Sequence, residues 1–208
     1  MTDISRKERE RAEHRSLILE AAEEVFAEHG FHGATVQQIA EAAEFSVGYL
    51  YNHFESKEDL FLQLVDLRAA QLLDDVAQCV QQDGEPADRV RGAIDAKMAF
   101  FRRHRRFFLI FSHAVAEERA GGQPCFSERM RRRYRQYLQE LAGVMAEGIR
   151  RGVFVKEDPM TMATCMEGMT NAVIGYWVHT GGEEPGAATP DVIQRIFLSG
   201  VLAEGNGS

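Results

Sequence analysis

Apolar residues recur at intervals of three and four along almost the whole of this 208-residue chain. The first such stripe consists of Leu17, Ile18, Ala21, Ala22, Val25 and Phe26, and Gly30 is expected to end the helix that carries it. No segment shows the strict alternation of apolar and polar residues that is typical of a β-strand. The sequence therefore predicts an all-α protein with about nine helices.

Caps and prolines mark where further helices begin. Thr35, followed three residues later by Gln38, has the pattern of a capping box, and Ser56 precedes acidic residues as an N-cap does. Proline is favoured in the first turn of a helix, where its missing N–H is not needed. These signals predict helices over residues 35–43, 46–54 and 56–82, from Pro86, over residues 126–151 and 159–180, and over residues 190–203.

Composition places the chain among ordinary globular proteins, because 45% of its residues are hydrophobic and 27% are charged. The apolar runs are far shorter than the roughly 20 residues of a membrane span, and the amino terminus lacks a signal-peptide core. We therefore expect a cytoplasmic protein with no membrane partner. Cys79, Cys125 and Cys165 are dispersed, which predicts reduced thiols rather than a disulfide or a zinc site.

Residues 35–54 predict two short helices joined by a tight turn. In a helix-turn-helix of this kind the second helix enters the major groove of DNA. At about 100° per residue, Val47, Leu50 and Phe54 share one face of that helix, which is expected to be buried. The outward arc then carries Gly48, Tyr49, Tyr51, Asn52 and His53.

The side chains on this arc suit contact with DNA. Tyrosine and histidine hydrogen-bond to phosphate, and such contacts position the protein rather than read sequence. Glycine inside a helix costs roughly 0.5 to 1 kcal/mol, which is tolerable if the backbone must approach a groove wall. Lys57 adds a positive charge, and Thr35 has a hydroxyl at the start of the preceding short helix. The segment is therefore a candidate DNA-reading surface.

The same residues carry a resemblance to a known family. Residues 17–64, LILEAAEEVFAEHGFHGATVQQIAEAAEFSVGYLYNHFESKEDLFLQL, resemble the amino-terminal DNA-binding domain of the TetR family of bacterial transcriptional regulators. The resemblance implies that Thr35, Tyr51, His53 and Lys57 contact phosphates, and that Val47, Gly48 and Tyr49 face base edges. Asn52 belongs to the same DNA-binding set.

Two positions depart from the family pattern. Glu44 stands in the turn, where the family commonly has glycine, and a left-handed backbone there carries strain of about 1 kcal/mol or more. Tyr49 is bulkier than the small residue often found at its position. Its contact therefore stays open between a base edge, a sugar and a thymine methyl group.

Beyond residue 64, the resemblance implies a helical domain that binds an effector and forms a homodimer through its last two long helices. The chain is accordingly divided into a DNA-binding domain, residues 1–55, and an effector-binding and dimerisation domain, residues 56–208. The residues expected to line an apolar effector pocket are Phe101, Phe108, Phe111, Met145, Met166, Met169 and Trp177. The small residues expected at the dimer interface are Gly168, Ala172, Gly175 and Gly200. Packing within the subunit is the alternative for both sets.

Charge is unevenly distributed along the chain. Residues 1–60 contain six Lys or Arg and thirteen Asp or Glu, whereas DNA-binding surfaces are usually basic. Eight of those acids precede His29, so few fall within the helix-turn-helix itself. The arginine runs FFRRHRRFF and RMRRRYRQY indicate either an anion site or exposed helix faces on which arginines pair with acids.

The function that the resemblance implies is an effector-responsive repressor that binds a palindromic double-stranded DNA operator as a homodimer. A transcriptional activator is one alternative. Another is a helical ligand-binding or adaptor protein with a degenerate DNA-binding domain, which Glu44 and the acidic first helix favour. The sequence has no GxGxxG, P-loop, GxSxG or HExxH motif, so we expect no enzymatic activity, metal site or cofactor.

Overall fold

Nine α-helices form the fold of the residues that the computed structural model describes, which are 6–119, 121, 126–180 and 189–202. They are α1 (Arg6–Gly33), α2 (Val36–Ala42), α3 (Val47–Leu50), α4 (Lys57–Gln81), α5 (Pro86–Arg103), α6 (Arg105–Arg119), α7 (Glu128–Arg150), α8 (Pro159–Thr180) and α9 (Thr189–Val201). In these ranges the one extended pairing is an isolated antiparallel bridge between Phe154 and Leu202. The prediction of an all-α fold is confirmed.

Helix α1 is longer than its apolar stripe predicted. It begins at Arg6, and its backbone leaves the helical conformation at Gly30, where φ is +69°. Ile18, Ala22 and Phe26 form the fully buried row of the stripe, whereas Leu17 lies at its edge and is 49% exposed. The predicted stop at Gly30 is therefore confirmed, and the start of the helix was missed because its first turns are charged.

Most of the predicted caps are formed. The hydroxyl of Thr35 accepts a hydrogen bond from the N–H of Gln38, and the Gln38 side chain accepts one from the N–H of Thr35, which completes the capping box. Ser56 Oγ accepts a hydrogen bond from the N–H of Asp59 at 3.1 Å, and Pro86 occupies the first turn of α5. Local hydrogen-bond signals thus place these helix starts correctly.

Two helix boundaries differ from the predictions. Helix α3 ends at Leu50 rather than Phe54, because residues 51–53 tighten into turns in which the N–H of His53 bonds to the carbonyl of Leu50 at 2.9 Å. Helix α7 begins at Glu128 rather than residue 126. Helix α9 is described to Val201, and its predicted end at Ala203 lies outside the described residues, as does Cys125. Cys79 and Cys165 are free thiols.

The chain forms two compact units. The first comprises the described parts of Met1–Arg68 and Arg106–Ser127. Its core contains Ile18, Phe26, Ile39, Leu50, Phe54 and Leu64, together with Ile110 of α6. An ion pair of 2.7 Å between Arg68 and the largely buried Glu23 adds a polar link between α4 and α1. Helix α6 therefore packs with the amino-terminal helices, although it is distant from them in sequence.

The second unit comprises the described parts of Ala69–Arg105 and Glu128–Ser208. Its core includes Ile94, Met98, Phe101, Leu141, Met145 and Met166, which are at most 1% exposed. The ring of Phe154 lies against Gly148, so closely that a Cβ at that position would overlap it. Gly152 has a φ of +72°, which ends α7 where the sequence predicted. The division of function at residue 55 stays a prediction.

Arginines from both predicted runs have carboxylate partners. Arg103 lies 2.7 Å from Asp75, and Arg106 lies 2.8 Å from Glu24. In the second run, Arg133 pairs with Asp74, and both Arg132 and Arg135 pair with Glu128. These contacts favour the interpretation of paired, exposed helix faces. Among the helices described, none is long and apolar enough to cross a membrane.

The turn residue Glu44 offers a test of backbone strain. Its φ is +59°, a conformation that costs a non-glycine residue about 1 to 2 kcal/mol. We expect Glu44→Gly to raise the free energy of unfolding by about 0.5 to 1 kcal/mol, because the relief of strain exceeds the added chain entropy of glycine. Urea unfolding followed by circular dichroism measures the change.

The matched control is Glu41→Gly, which removes the same side chain from a helical position in α2. There we expect the free energy of unfolding to fall by about 0.5 to 1 kcal/mol. Changes of the same sign in both variants would show that the left-handed conformation of Glu44 stores no strain.

Candidate nucleic-acid interface

The turn between α2 and α3 is fixed by backbone hydrogen bonds and by burial on both sides. The N–H of Phe45 bonds to the carbonyl of Ala40 at 2.9 Å, across the left-handed Glu44. Ser46 then caps α3 by accepting a hydrogen bond from the N–H of Tyr49 at 3.2 Å. Ile39 and Leu50, one on each helix, are at most 1% exposed. The two short helices are thus held as one unit, as the sequence predicted for a helix-turn-helix.

Helix α3 and the turn after it have a buried face and an exposed one. Leu50 and Phe54 are 1% and 3% exposed. Gly48, Tyr51 and Asn52 are exposed, and a side chain added at Gly48 would meet no heavy atom within 4 Å. Val47 and His53 are half-buried at the edges of these two faces. An approaching molecule can therefore reach the backbone at Gly48 and the side chains beside it.

Tyr49 differs from its predicted outward orientation. It is half-buried, and its hydroxyl lies 2.7 Å from Nδ1 of His14 on α1. Its ring stacks on Phe45, with ring centres 4.9 Å apart. Helical periodicity does not predict these contacts, because neither His14 nor Phe45 lies on the same helix as Tyr49. The contact of Tyr49 with a base edge stays a prediction.

Lys57 is also engaged within the protein. Its ammonium donates hydrogen bonds to the carbonyls of Phe31 and Ala34, at 2.8 and 2.9 Å, and lies 4.6 Å from the centre of the Phe31 ring. Because an ammonium has three N–H groups, one remains for a phosphate. Thr35 is exposed, and its hydroxyl exchanges hydrogen bonds with Gln38.

Three side chains from the first turns of α1 lie beside the end of α3. Arg11 donates a hydrogen bond to the carbonyl of Asn52 at 3.2 Å, and His14 contacts Tyr49 as described. Arg15 bonds to the amide oxygen of Gln63, and its guanidinium lies 5.5 Å from the centre of the Phe54 ring. Burial, followed by the positive charges of Arg11, His14 and Arg15, lowers the pKa of His53.

No role was predicted for these α1 residues. The apolar stripe that predicts α1 starts at Leu17, whereas His14 and Arg15 precede the buried Ile18 and Leu19 by one turn. That continuing four-residue spacing is the signal that could have extended α1 towards its first turns. The contact of Arg11 with Asn52 had no such signal, because it joins residues far apart in the chain.

The predicted pocket residues fall into two groups. Phe101, Met145 and Met166 are buried in the second unit, where Met169 and Trp177 are half-buried. Phe108 and Phe111 belong to the first unit, where their rings contact each other, with centres 6.4 Å apart. Phe111 also contacts Phe126, with centres 5.2 Å apart. A single pocket lined by all seven residues stays a prediction.

The predicted interface residues lie on accessible parts of α8 and α9. Gly168, Ala172 and Gly200 are exposed, and Gly175 is half-buried. A Cβ built on any of the three glycines would meet no heavy atom within 4 Å. These glycines therefore do not serve close packing within the described part of the subunit.

A buried ionic cluster in the second unit was not predicted. Nζ of Lys97 on α5 lies 2.6 Å from Glu167 on α8, and both side chains are 5% exposed. Tyr137 on α7 donates a hydrogen bond to the other carboxylate oxygen of Glu167 at 2.8 Å. Burial and the charge of Glu167 raise the pKa of Tyr137, and the same causes raise that of Tyr134 to about 12. One signal was available, since Lys97 lies on the apolar spacing of Ala93 and Phe101 in α5.

Helices α2 and α3 form a helix-turn-helix whose inner face is buried and whose second helix is capped and accessible on its outer face. This arrangement defines the class of helix-turn-helix DNA-binding proteins. Residues 18–64 match the model of the bacterial regulatory proteins of the tetR family, and residues 83–201 match the tetracyclin repressor-like C-terminal domain. The chain therefore belongs to the TetR family and is a transcriptional regulator. The resemblance seen in the sequence is confirmed.

Individual relatives match this chain over half of its length or more. The HTH-type transcriptional repressor KstR2 of Mycobacterium tuberculosis is 27% identical over 191 residues, which cover 92% of this chain and 94% of that protein. The HTH-type transcriptional activator FasR of Mycolicibacterium smegmatis is 33% identical over 109 residues, covering 52% and 50%. The structure of FadR from Bacillus subtilis in complex with stearoyl-CoA has a TM-score of 0.72 at 20% identity, covering 89% and 98%.

The Lys97–Glu167 pair gives a prediction about stability. Glu167→Gln leaves the ammonium of Lys97 buried without its anion, so we expect the free energy of unfolding to fall by about 3 to 5 kcal/mol. In the double variant Lys97→Met with Glu167→Leu no charge is buried, and most of that loss should be recovered. Urea unfolding measures both, and a double variant no more stable than Glu167→Gln contradicts this account.

Proposed function

We propose that this chain is an effector-responsive repressor that binds a roughly palindromic operator as a homodimer. The observation that carries the proposal is the exposure of Gly48, Tyr51 and Asn52 on a segment whose other face is fixed by Leu50 and Phe54. A recognition helix must present accessible side chains in a rigid orientation, because a groove accepts them only in one register. Both conditions are met here.

The proposed contacts divide between phosphates and bases. Thr35, Tyr51, His53 and Lys57 contact the backbone, which sets the position of the protein on the duplex. Val47, Gly48 and Tyr49 face base edges, with Asn52 beside them. Tyr49 must exchange its hydrogen bond with His14 for this contact, whereas Lys57 has one N–H left and can keep both of its carbonyl partners.

Exposed apolar side chains on α8 and α9 support a dimer through these helices. Tyr176 and Ile196 are 63% and 57% exposed, and Met160 and Val192 are also accessible. Gly168, Ala172, Gly175 and Gly200 lie on the same two helices and allow another helix to approach closely. Accessible apolar surface of this kind typically marks an interface. A homodimer presents two recognition helices, as a palindromic operator requires.

An apolar effector in the second unit is supported by its chemistry. Ligand sites combine an apolar lining with a few fixed polar groups, and this unit has the predicted pocket residues Phe101, Met145, Met166, Met169 and Trp177. Its polar groups are Lys97, Tyr137 and Glu167. The related FadR was crystallised with stearoyl-CoA, whose acyl chain is apolar and whose CoA group is polar and negatively charged.

The effector acts, in this proposal, through the long helix α4. This helix begins in the first unit and continues into the second, since the division falls between Arg68 and Ala69. A shift of α4 changes the distance between the two recognition helices of a dimer. Successive major grooves on one face of DNA are about 34 Å apart, so a mismatch of a few ångströms breaks the register and releases the operator.

An activator is the second candidate, and one observation favours it. FasR, an activator by its name, is 33% identical to this chain over 109 residues. The repressor KstR2 is 27% identical over 191 residues. A reporter gene placed behind the bound promoter separates the two functions. Deleting the regulator raises expression if it represses and lowers expression if it activates.

DNA binding is tested with duplexes selected by the purified protein from a random pool. We expect a palindromic sequence to be recovered, with affinity that falls steeply as salt rises because phosphate contacts release counterions. Tyr51→Phe should weaken binding to the selected and to a scrambled duplex by the same factor, since it removes a phosphate contact. Tyr49→Ala should change which sequence is preferred.

Failure to recover any sequence, or affinity that ignores salt, contradicts the proposed function and supports the adaptor alternative. A uniform loss from Tyr49→Ala would instead assign that residue to positioning. Fluorescence anisotropy of labelled duplexes provides both measurements, and circular dichroism checks that each variant is folded.

The dimer is tested by placing a charge on its proposed interface. Ile196→Glu should convert the protein to a monomer, because a carboxylate buried between helices has no partner there. The control is Leu17→Glu, which places the same carboxylate at a similarly exposed position on α1 and should leave the dimer intact. Sedimentation velocity measures the oligomeric state. A dimer that survives Ile196→Glu excludes this face as the interface.

A further inference from the structure

The amino-terminal turns of α1 carry a concentration of positive charge next to the recognition helix. At about 100° per residue, Lys7, Arg11, His14 and Arg15 fall on one face of α1. We call these four residues the α1 basic face. One carboxylate, that of Glu8, shares this face, whereas Glu10 and Glu13 lie on others. The acidic composition of residues 1–60 therefore does not extend to this face.

Arg11 and Arg15 differ from the arginines that pair with carboxylates elsewhere in the described part of the chain. Arg68, Arg89, Arg103 and Arg106 each pair with a carboxylate at 2.7 to 2.8 Å. Arg11 and Arg15 instead contact uncharged acceptors, the carbonyl of Asn52 and the amide oxygen of Gln63. Across the described ranges of the chain, neither has a carboxylate within ion-pair distance.

Their hydrogen-bonding capacity is also largely unused. A guanidinium has five N–H donors, and each of these arginines uses its Nη2 for one hydrogen bond to a residue in the described part of the protein. Both side chains are exposed. Their positive charge is felt nearby, since Arg11 and Arg15 are among the causes that lower the pKa of His53.

We propose that Arg11 and Arg15 form a phosphate-binding site that extends the DNA-binding surface from α3 onto the first turns of α1. The contact of Arg11 with Asn52 fixes this site at the end of the recognition helix, where Tyr51 and Asn52 are exposed. Guanidinium groups suit phosphate because their N–H donors match its oxygens in pairs. This inference rests on the proposed DNA binding, and it supplies the basic surface that composition alone did not reveal.

The size of the effect follows from counterion release. Each phosphate contact adds about 0.9 to the slope of log affinity against log salt, and a dimer carries each arginine twice. Arg11→Gln or Arg15→Gln should therefore reduce the slope by about 1.8. If the salt-dependent contribution to affinity is zero near 1 M salt, a loss of about 1.8 in the slope weakens binding about 30-fold at 0.15 M salt.

The test uses the full-length protein and two fluorescein-labelled duplexes, one selected from a random pool and one scrambled. Anisotropy titrations at several salt concentrations compare wild type, Arg11→Gln, Arg15→Gln and the control Arg106→Gln. Arg106 is exposed and in the first unit, but it pairs with Glu24, farther along α1. We expect both α1 variants to lose affinity equally on the two duplexes with a smaller slope, and the control to match wild type.

The outcomes distinguish this inference from the proposed function. If the wild type binds neither duplex, the proposed function fails and this site with it. If the wild type binds and the slopes of both α1 variants are unchanged, only the phosphate site is overturned. Lost affinity at an unchanged slope also overturns it, because the arginines then only hold α3 in place. Arg11→Lys, which keeps the charge, should retain most of the slope.

Discussion

The burial of Leu50 and Phe54 is the interaction on which the proposed DNA-binding surface depends. Helix α3 has four residues, and a helix this short is unstable alone because nucleation costs more than its few hydrogen bonds return. Helix α3 is instead stabilised by the burial of Leu50 and Phe54, which are at most 3% exposed. The cap at Ser46 and the left-handed turn at Glu44 also fix its start. The outward residues Gly48, Tyr51 and Asn52 have a defined orientation only because the opposite face is fixed in this way.

The sequence predicted what depends on neighbouring residues. The capping box at Thr35, the break in the helical backbone of α1 at Gly30 and the start of α5 at Pro86 are set by local hydrogen bonds and backbone preferences, and all three are confirmed. The departures involve partners far apart in the chain. His14 holds Tyr49, Lys57 bonds to carbonyls at the end of α1, and Lys97 pairs with Glu167 across 70 residues. Periodicity assigns a side chain to a face of its helix but does not identify the partner it meets there.

The net charge of residues 1–60 did not predict a basic surface, because acidic and basic side chains lie on different parts of the protein. Acidic side chains neutralise arginines on α5, α6 and α7, as in the pairs of Arg103 with Asp75 and Arg133 with Asp74. Coulomb interactions at such distances are local, since salt screens exposed charges beyond about 8 to 10 Å. The net charge of residues 1–60 therefore combines charges that are too far apart to act on one bound phosphate. What matters for DNA is the charge near α3, and there the arginines meet carbonyl and amide oxygens.

The ammonium of Lys57 joins the last turn of α1 to the first turn of α4 through the carbonyls of Phe31 and Ala34. Its position makes it a structural brace as well as a proposed DNA contact. A phosphate bound to its remaining N–H would favour the conformation in which both carbonyl bonds are made, because a ligand stabilises the state it binds. DNA should then protect the amides around residues 31–34 from hydrogen exchange. Replacing Lys57 would therefore remove the hydrogen bonds to the carbonyls of Phe31 and Ala34 together with the proposed DNA contact.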